Sequence, residues 1–121
     1  MAEGRTIRLG EIAHARSGDK GNSANIGVIA YTPAGYAFLQ AQLTAERVGA
    51  FFVRLGTTRT ERFELPKIGA LNFLLHDALA GGASRSLRTD TQGKLLGTAV
   101  LELTLPAPEN LASMQRQNEE D

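Results

Sequence analysis

The spacing of apolar residues changes along this chain between the period of a strand and that of a helix, which limits the fold class. Residues 5–9 alternate apolar and polar side chains, and residues 26–31 are apolar on both faces, as in a central strand. From Gly35 the spacing becomes helical, with a restart at Thr44 as an N-cap. The first half of the chain therefore predicts two strands followed by helix.

The second half of the chain again combines strand-like and helix-like spacing of apolar residues. Alternation around residues 62–65 predicts a strand that Pro66 ends. Apolar residues then recur at helical spacing over 68–79, and two glycines stop this second helix. Residues 84–89 and 95–105 predict a hairpin with a turn at 90–93 and a long last strand. The apolar residues that define the second helix are Ile68, Leu71, Leu75 and Leu79.

This order of elements excludes a helix bundle and a β-sandwich. It predicts an α+β domain, a two-layer ferredoxin-like sandwich with four to five mostly antiparallel strands and two helices on one face. The other face of such a sheet needs cover. We therefore expect an oligomer or a partner chain, with Val100 and the back of the 26–31 strand as the assembly surface.

Composition adds several limits. The chain has 121 residues, which fits one domain, and it has no cysteine, which excludes disulfides and thiolate chemistry. Thirteen basic residues balance thirteen acidic ones, so we expect neither nucleic acid nor a membrane as partner, and a cytoplasmic location. We assign 1–108 to the domain and 109–121 to an acidic, loosely ordered tail, in which Leu111 and Met114 are spaced for a short helix if a partner covers it.

A polar segment between the first two predicted strands holds the main candidate site. Its turn-forming residues predict a loop too long for a simple hairpin, in which successive amides and cations can form a nest for phosphate or carboxylate. The alternative is a loop that only stabilises itself. The candidate anion-binding residues here are Arg16, Ser17, Gly18, Asp19, Lys20, Gly21, Asn22 and Asn25.

Other candidates lie outside this segment or serve other chemistry. Asn72 is predicted to brace the polar loop, and Arg85 and Arg88 form a second polar cluster that could support it. The candidates for a catalytic base are His14 and Asp19, with Asp19 or Glu11 orienting the imidazole. The two histidines, His14 and His76, have no partner at metal-ligand spacing, so we expect no metal site.

Residues 13–27, AHARSGDKGNSANIG, resemble the signature of the AtuA-like domain of acyclic terpene utilisation proteins. The resemblance continues through Leu65-Pro66, 70–73, Gly81-Gly82 and 90–94. It implies a ferredoxin-type fold, found fused behind a larger domain or as a small separate chain beside one. It also implies a context of terpene catabolism through acyl-CoA thioesters, and it supplies no catalytic residues.

These observations leave three hypotheses. We favour an accessory subunit that supplies an anion-binding loop to a larger AtuA-type partner in acyl-CoA or branched-acid catabolism. A structural or oligomerisation module without a ligand site and a small independent lyase or hydratase are the alternatives. We expect no resident cofactor, with a CoA thioester as candidate ligand, and partners that are a homo-oligomer or the larger chain.

Overall fold

The strands at the centre of the molecule follow from a regular alternation of apolar side chains along the chain. The computed structural model describes residues 5–20, 23–53, 57–77 and 96–116. The strands are β1 (Thr6–Arg8), β2 (Ala13–Lys20), β3 (Ser23–Ala30), β4 (Arg59–Leu65), β5 (Ala70–His76) and β6 (Thr104–Pro106). The helices are α1 (Pro33–Gln42) and α2 (Ala45–Phe51), with 3₁₀ turns at Leu9–Glu11, Pro66–Ile68 and Leu111–Ser113 and a helical segment over 96–100.

Within the described ranges the strands form two antiparallel sheets. The larger has the order β2-β3-β5-β4, and the smaller pairs β1 with β6. Helices α1 and α2 contact β3, β4 and β5. The predicted α+β class is therefore confirmed, and the arrangement is consistent with a ferredoxin-like fold.

The hydrophobic core lies on one face of the larger sheet. Ile26 on β3 is opposite Phe73 on β5, and both side chains are fully buried. Leu39 of α1 and Val48 of α2 complete this layer. Because side chains alternate across a strand, the intervening residues lie on the other face, which we call the open face.

A local cap stabilises the start of α2, and a strand side chain ties the end of α1 to this sheet. The Thr44 hydroxyl accepts a hydrogen bond from the amide of Arg47 at 3.0 Å, which confirms it as the N-cap of α2. The Arg62 guanidinium of β4 donates to the carbonyls of Gln40 and Leu43 at 2.9 and 3.0 Å. These carbonyls at the C-terminal end of α1 lack a partner within the helix. The positive charge of Arg62 therefore compensates the negative end of the helix dipole.

The helix predicted over 68–79 is wrong, because 70–76 form β5. Leu71 and Leu75 are four positions apart, a separation that satisfies both the helical period and the strand period. Phe73, buried between them, belongs only to the strand period. Gly69, with φ of 64°, turns the chain from the 3₁₀ turn into β5. Leu79 and the two glycines that were to end this helix lie outside the described residues.

The long strand predicted over 95–105 is also wrong. Residues 96–100 are helical, and strand structure covers only Thr104–Pro106. Leu96 and Val100 are buried in the core at helical spacing, so Val100 is not part of an assembly surface. The hairpin expected over 84–93 lies outside the described residues.

Leu111–Ser113 form a 3₁₀ turn at the place where a short helix covered by a partner was expected. Met114 is buried in the core, and the Thr32 hydroxyl donates to the carbonyl of Ser113 at 2.8 Å. The domain boundary at 108 stays a prediction. Within the described part of the chain, no helix has the length and apolar character needed to cross a bilayer.

The two faces of the sheet predict different costs for removing a phenylalanine side chain. Phe73 is 0% exposed, so Phe73→Ala should lower the free energy of unfolding by about 3–5 kcal/mol, measured by urea denaturation. Phe63 is 46% exposed on the open face, and Phe63→Ala should cost less than about 1 kcal/mol. Equal costs would contradict this assignment of faces.

Candidate functional site

The polar segment predicted as a loop is instead a β-hairpin, so that prediction is wrong. β2 and β3 pair without interruption from Ala13 with Ala30 to Lys20 with Ser23. Successive amides along a strand point in opposite directions, so they cannot converge as a nest. The Ser17 hydroxyl accepts a hydrogen bond from the amide of Gly97 at 2.8 Å, which ties β2 to the helical segment over 96–100.

The pairing brings several of the predicted site residues to the open face in three rows that cross the sheet. The first row contains Arg16, Gly27, Asn72 and Phe63. The second contains Gly18, Asn25, Leu74 and Glu61. The third contains His14, Ile29, Ala70 and Leu65. Residues that are far apart in sequence thus become neighbours on one surface.

Glycines shape the middle of this surface. Gly27 separates Arg16 from Asn72 and has no side chain, so the two polar groups flank bare backbone. The amide oxygen of Asn25 lies 3.2 Å from the position that a Cβ would take at Gly18. Arg16 and Asn25 are exposed, and Asn72 is half-buried. We call Arg16, Asn25 and Asn72 the polar patch.

Contacts with the described residues leave part of the hydrogen-bonding capacity of the polar patch unused. The side-chain nitrogen of Asn25 lies 3.5 Å from the side-chain oxygen of Asn72, a long contact for a hydrogen bond. Each primary amide has two donors and an acceptor, and the Arg16 guanidinium adds five donors. A carboxylate, a phosphate or a thioester carbonyl lying over Gly27 could accept hydrogen bonds from Arg16 on one side and from Asn72 on the other.

The catalytic pair proposed from the sequence does not come together. His14 stacks on the ring of Tyr31, with centroids 5.6 Å apart. Asp19 lies five positions further along β2, so the Cα atoms of the two residues are about 17 Å apart at the rise of a strand. The carboxylate of Glu11 accepts a hydrogen bond from the amide of Arg8 at 2.9 Å.

For the remaining predicted site residues, a role in anion binding stays a prediction. The backbone of Lys20 ends β2, opposite Ser23. The other residues predicted to bind the anion lie outside the described residues; they are Gly21, Asn22, Arg85 and Arg88.

A charged cluster that the sequence analysis missed lies on the open face where β4 and β5 meet. The Nε2 atom of His76 lies 3.0 Å from the Glu61 carboxylate and 3.2 Å from the Arg59 guanidinium. A protonated Nε2 donates to Glu61, whereas an unprotonated one accepts from Arg59, so the two bonds exclude each other. Only the register of β5 could have revealed this cluster, and those residues were predicted to be helical.

The cluster changes the ionisation of one member. The hydrogen bond with His76 lowers the pKa of Glu61, partial desolvation opposes this, and the charges of Arg59 and His76 lower the pKa further. Among the described residues, no group of three or more His, Asp and Glu side chains is placed to hold a metal ion.

The family model of the AtuA ferredoxin-like domain matches residues 7–106. The chain belongs to this family. The AtuA ferredoxin-like domain here runs from β1 to β6, so it includes both sheets and the polar patch. Comparisons with curated proteins and with solved structures give no match.

The lowered pKa of Glu61 predicts a pH-dependent contribution to stability. The ionised carboxylate stabilises the native state above its unfolded-state pKa, ordinarily about 4.5, and this is lost as pH falls through the lower folded-state value. Urea unfolding of Glu61→Gln should therefore show a deficit against the wild type at pH 7 that shrinks below about pH 4.5.

The control for this measurement is Glu102→Gln. Glu102 forms an exposed ion pair with Arg8 at 3.3 Å, a kind of contact that contributes little. A Glu61→Gln deficit that stayed constant from pH 7 to pH 3 would contradict a role for ionisation.

Proposed function

We propose that this AtuA ferredoxin-like domain is an accessory domain that supplies its polar patch to a site completed by a larger AtuA-type partner chain. The observation that carries the proposal is the exposed Arg16 and the two asparagine amides set around bare backbone at Gly27. The proposed context is acyl-CoA or branched-acid catabolism.

The shape of the surface supports an accessory role. The patch lies on a sheet face, which gives a floor and two flanking groups. A ligand site ordinarily buries most of its ligand in a concave pocket, so the opposite wall has to come from another chain. An independent lyase or hydratase that used His14 as base with Asp19 to orient it has little support, because the Cα atoms of the two residues lie about 17 Å apart along β2.

The chemistry of the patch supports an anionic or carbonyl-containing ligand. A guanidinium binds carboxylate or phosphate through paired hydrogen bonds, and asparagine amides donate to carbonyl oxygens. A CoA thioester offers both phosphate and carbonyl groups. Arg16 would bind the charge, while Asn25 and Asn72 would orient the neutral part.

The second candidate function is an oligomerisation module. Phe63 and Leu65 are 46% and 43% exposed on the same open face, at the β4 edge. Exposed apolar residues grouped on one face mark contact surfaces. In this alternative the face packs against a second copy and binds no ligand.

The test uses the complex purified from the native host through a tag on this chain. We expect a larger AtuA-type chain to co-purify and the complex to bind isovaleryl-CoA by calorimetry. Arg16→Ala should weaken that binding roughly tenfold, the scale of a lost charge-assisted hydrogen bond. Arg8→Ala, which removes an exposed arginine elsewhere, is the matched control.

A second variant probes the floor of the patch without disturbing the fold. A Cβ at Gly27 would lie 3.7 Å from the Asn72 oxygen, an ordinary contact, yet it would fill the space between Arg16 and Asn72. Gly27→Ala should therefore weaken isovaleryl-CoA binding at unchanged thermal stability. Wild-type affinity in both variants would refute the site. A homo-oligomer without a larger chain, dispersed by Phe63→Asp, would establish the alternative.

A further inference from the structure

An open cleft of about 370 Å³ lies between the start of α1 and the 3₁₀ turn Pro66–Ile68. It shares no residue with the polar patch. Gly69, in the left-handed conformation with φ of 64°, closes the turn that brings Lys67 and Ile68 to the cleft. Its volume is within the range of small-molecule sites.

A buried hydroxyl indicates that this cleft lacks a hydrogen-bonding partner. Tyr36 lines the cleft and is 9% exposed, and its hydroxyl has no hydrogen-bond partner among the described residues. Buried polar groups in native proteins are almost always paired, so an orphan beside a cleft indicates a group that arrives from outside. The hydroxyl is closed to solvent in the free protein, so a ligand oxygen would accept from it after a shift of the Tyr36 side chain toward the cleft.

The charges at the cleft favour an anion. Lys67 contributes an exposed ammonium group, and the N-terminus of the ten-residue helix α1 contributes positive potential. The helix offers few free amides, because Pro33 has none and the amide of Gly35 donates to the Thr32 hydroxyl at 3.0 Å. A carboxylate fits these donors better than a phosphate, which needs several converging amides.

The walls of the cleft combine apolar and polar surface in similar amounts. Ile68 is 64% exposed, and Pro33 and Pro66 lie on the two sides. Tyr31 also lines the cleft, and its ring stacks on the imidazole of His14. An apolar ligand body would cover surface that water otherwise contacts, which favours binding.

We infer that this cleft binds a small monocarboxylate with an apolar body. Its carboxylate lies between Lys67 and the Tyr36 hydroxyl at the start of α1, and its hydrocarbon part packs on Ile68, Pro33 and Pro66. The inference is independent of the polar patch, because it uses different residues and needs no partner chain.

The test titrates the isolated full chain with 3-methylbutanoate and follows backbone amide signals by NMR. We expect saturable shifts at residues 31–36 and 66–69. The neutral amide of the same acid and inorganic phosphate should bind much more weakly at this place. Lys67→Gln should weaken carboxylate binding roughly fivefold and Tyr36→Phe roughly tenfold.

Controls separate a ligand role from a structural one. Tyr36→Phe removes a hydroxyl that has no partner in the free protein, so its melting temperature should equal or exceed that of the wild type. Arg8→Gln removes one exposed positive charge elsewhere and should leave carboxylate binding unchanged. Absence of saturable shifts, equal shifts with phosphate, or a lower melting temperature in Tyr36→Phe would overturn the inference.

Discussion

The pairing of β3 with β5 is the constraint on which the rest of the molecule depends. It places Ile26 opposite Phe73 and aligns the apolar residues of both strands on one face. A shift of one residue would move these side chains to the other face, so burial fixes the register strongly. The same register determines which residues share the open face. The polar patch is therefore a by-product of core packing, since Asn25 and Asn72 occupy the positions between the buried ones.

The sequence predicted the elements whose hydrophobic period is unambiguous. The spacing of apolar residues fits only a strand around Phe63 and only a helix start at Thr44, and both predictions are confirmed. The segment with Leu71 and Leu75 fits two periods, and only pairing with β3 and β4 selects the strand. The turn-forming residues around Gly18 predicted a loop. This prediction is wrong because the pairing of β2 with β3 overrides the local preference for a turn.

The sequence predicted several residues of the candidate site but not their arrangement in space. Arg16 and Asn25 were identified as binding residues, but as parts of a loop rather than as side chains on two adjacent strands. Asn72 was expected to brace that loop, and it instead lies across Gly27 from Arg16. The Glu61–His76 contact could not be predicted, because it requires the register of a strand that was read as a helix. Long-range pairing is the information that a single sequence does not contain.

The hydroxyl of Thr32 joins two parts of the molecule that are 81 residues apart. It accepts from the first turn of α1 and donates to the carbonyl of Ser113, while Met114 next to it enters the core. The family match ends at residue 106, yet these contacts join residues 113 and 114 to the matched part of the chain. A truncation designed on the matched boundary would remove a core side chain and leave a helix cap without its acceptor.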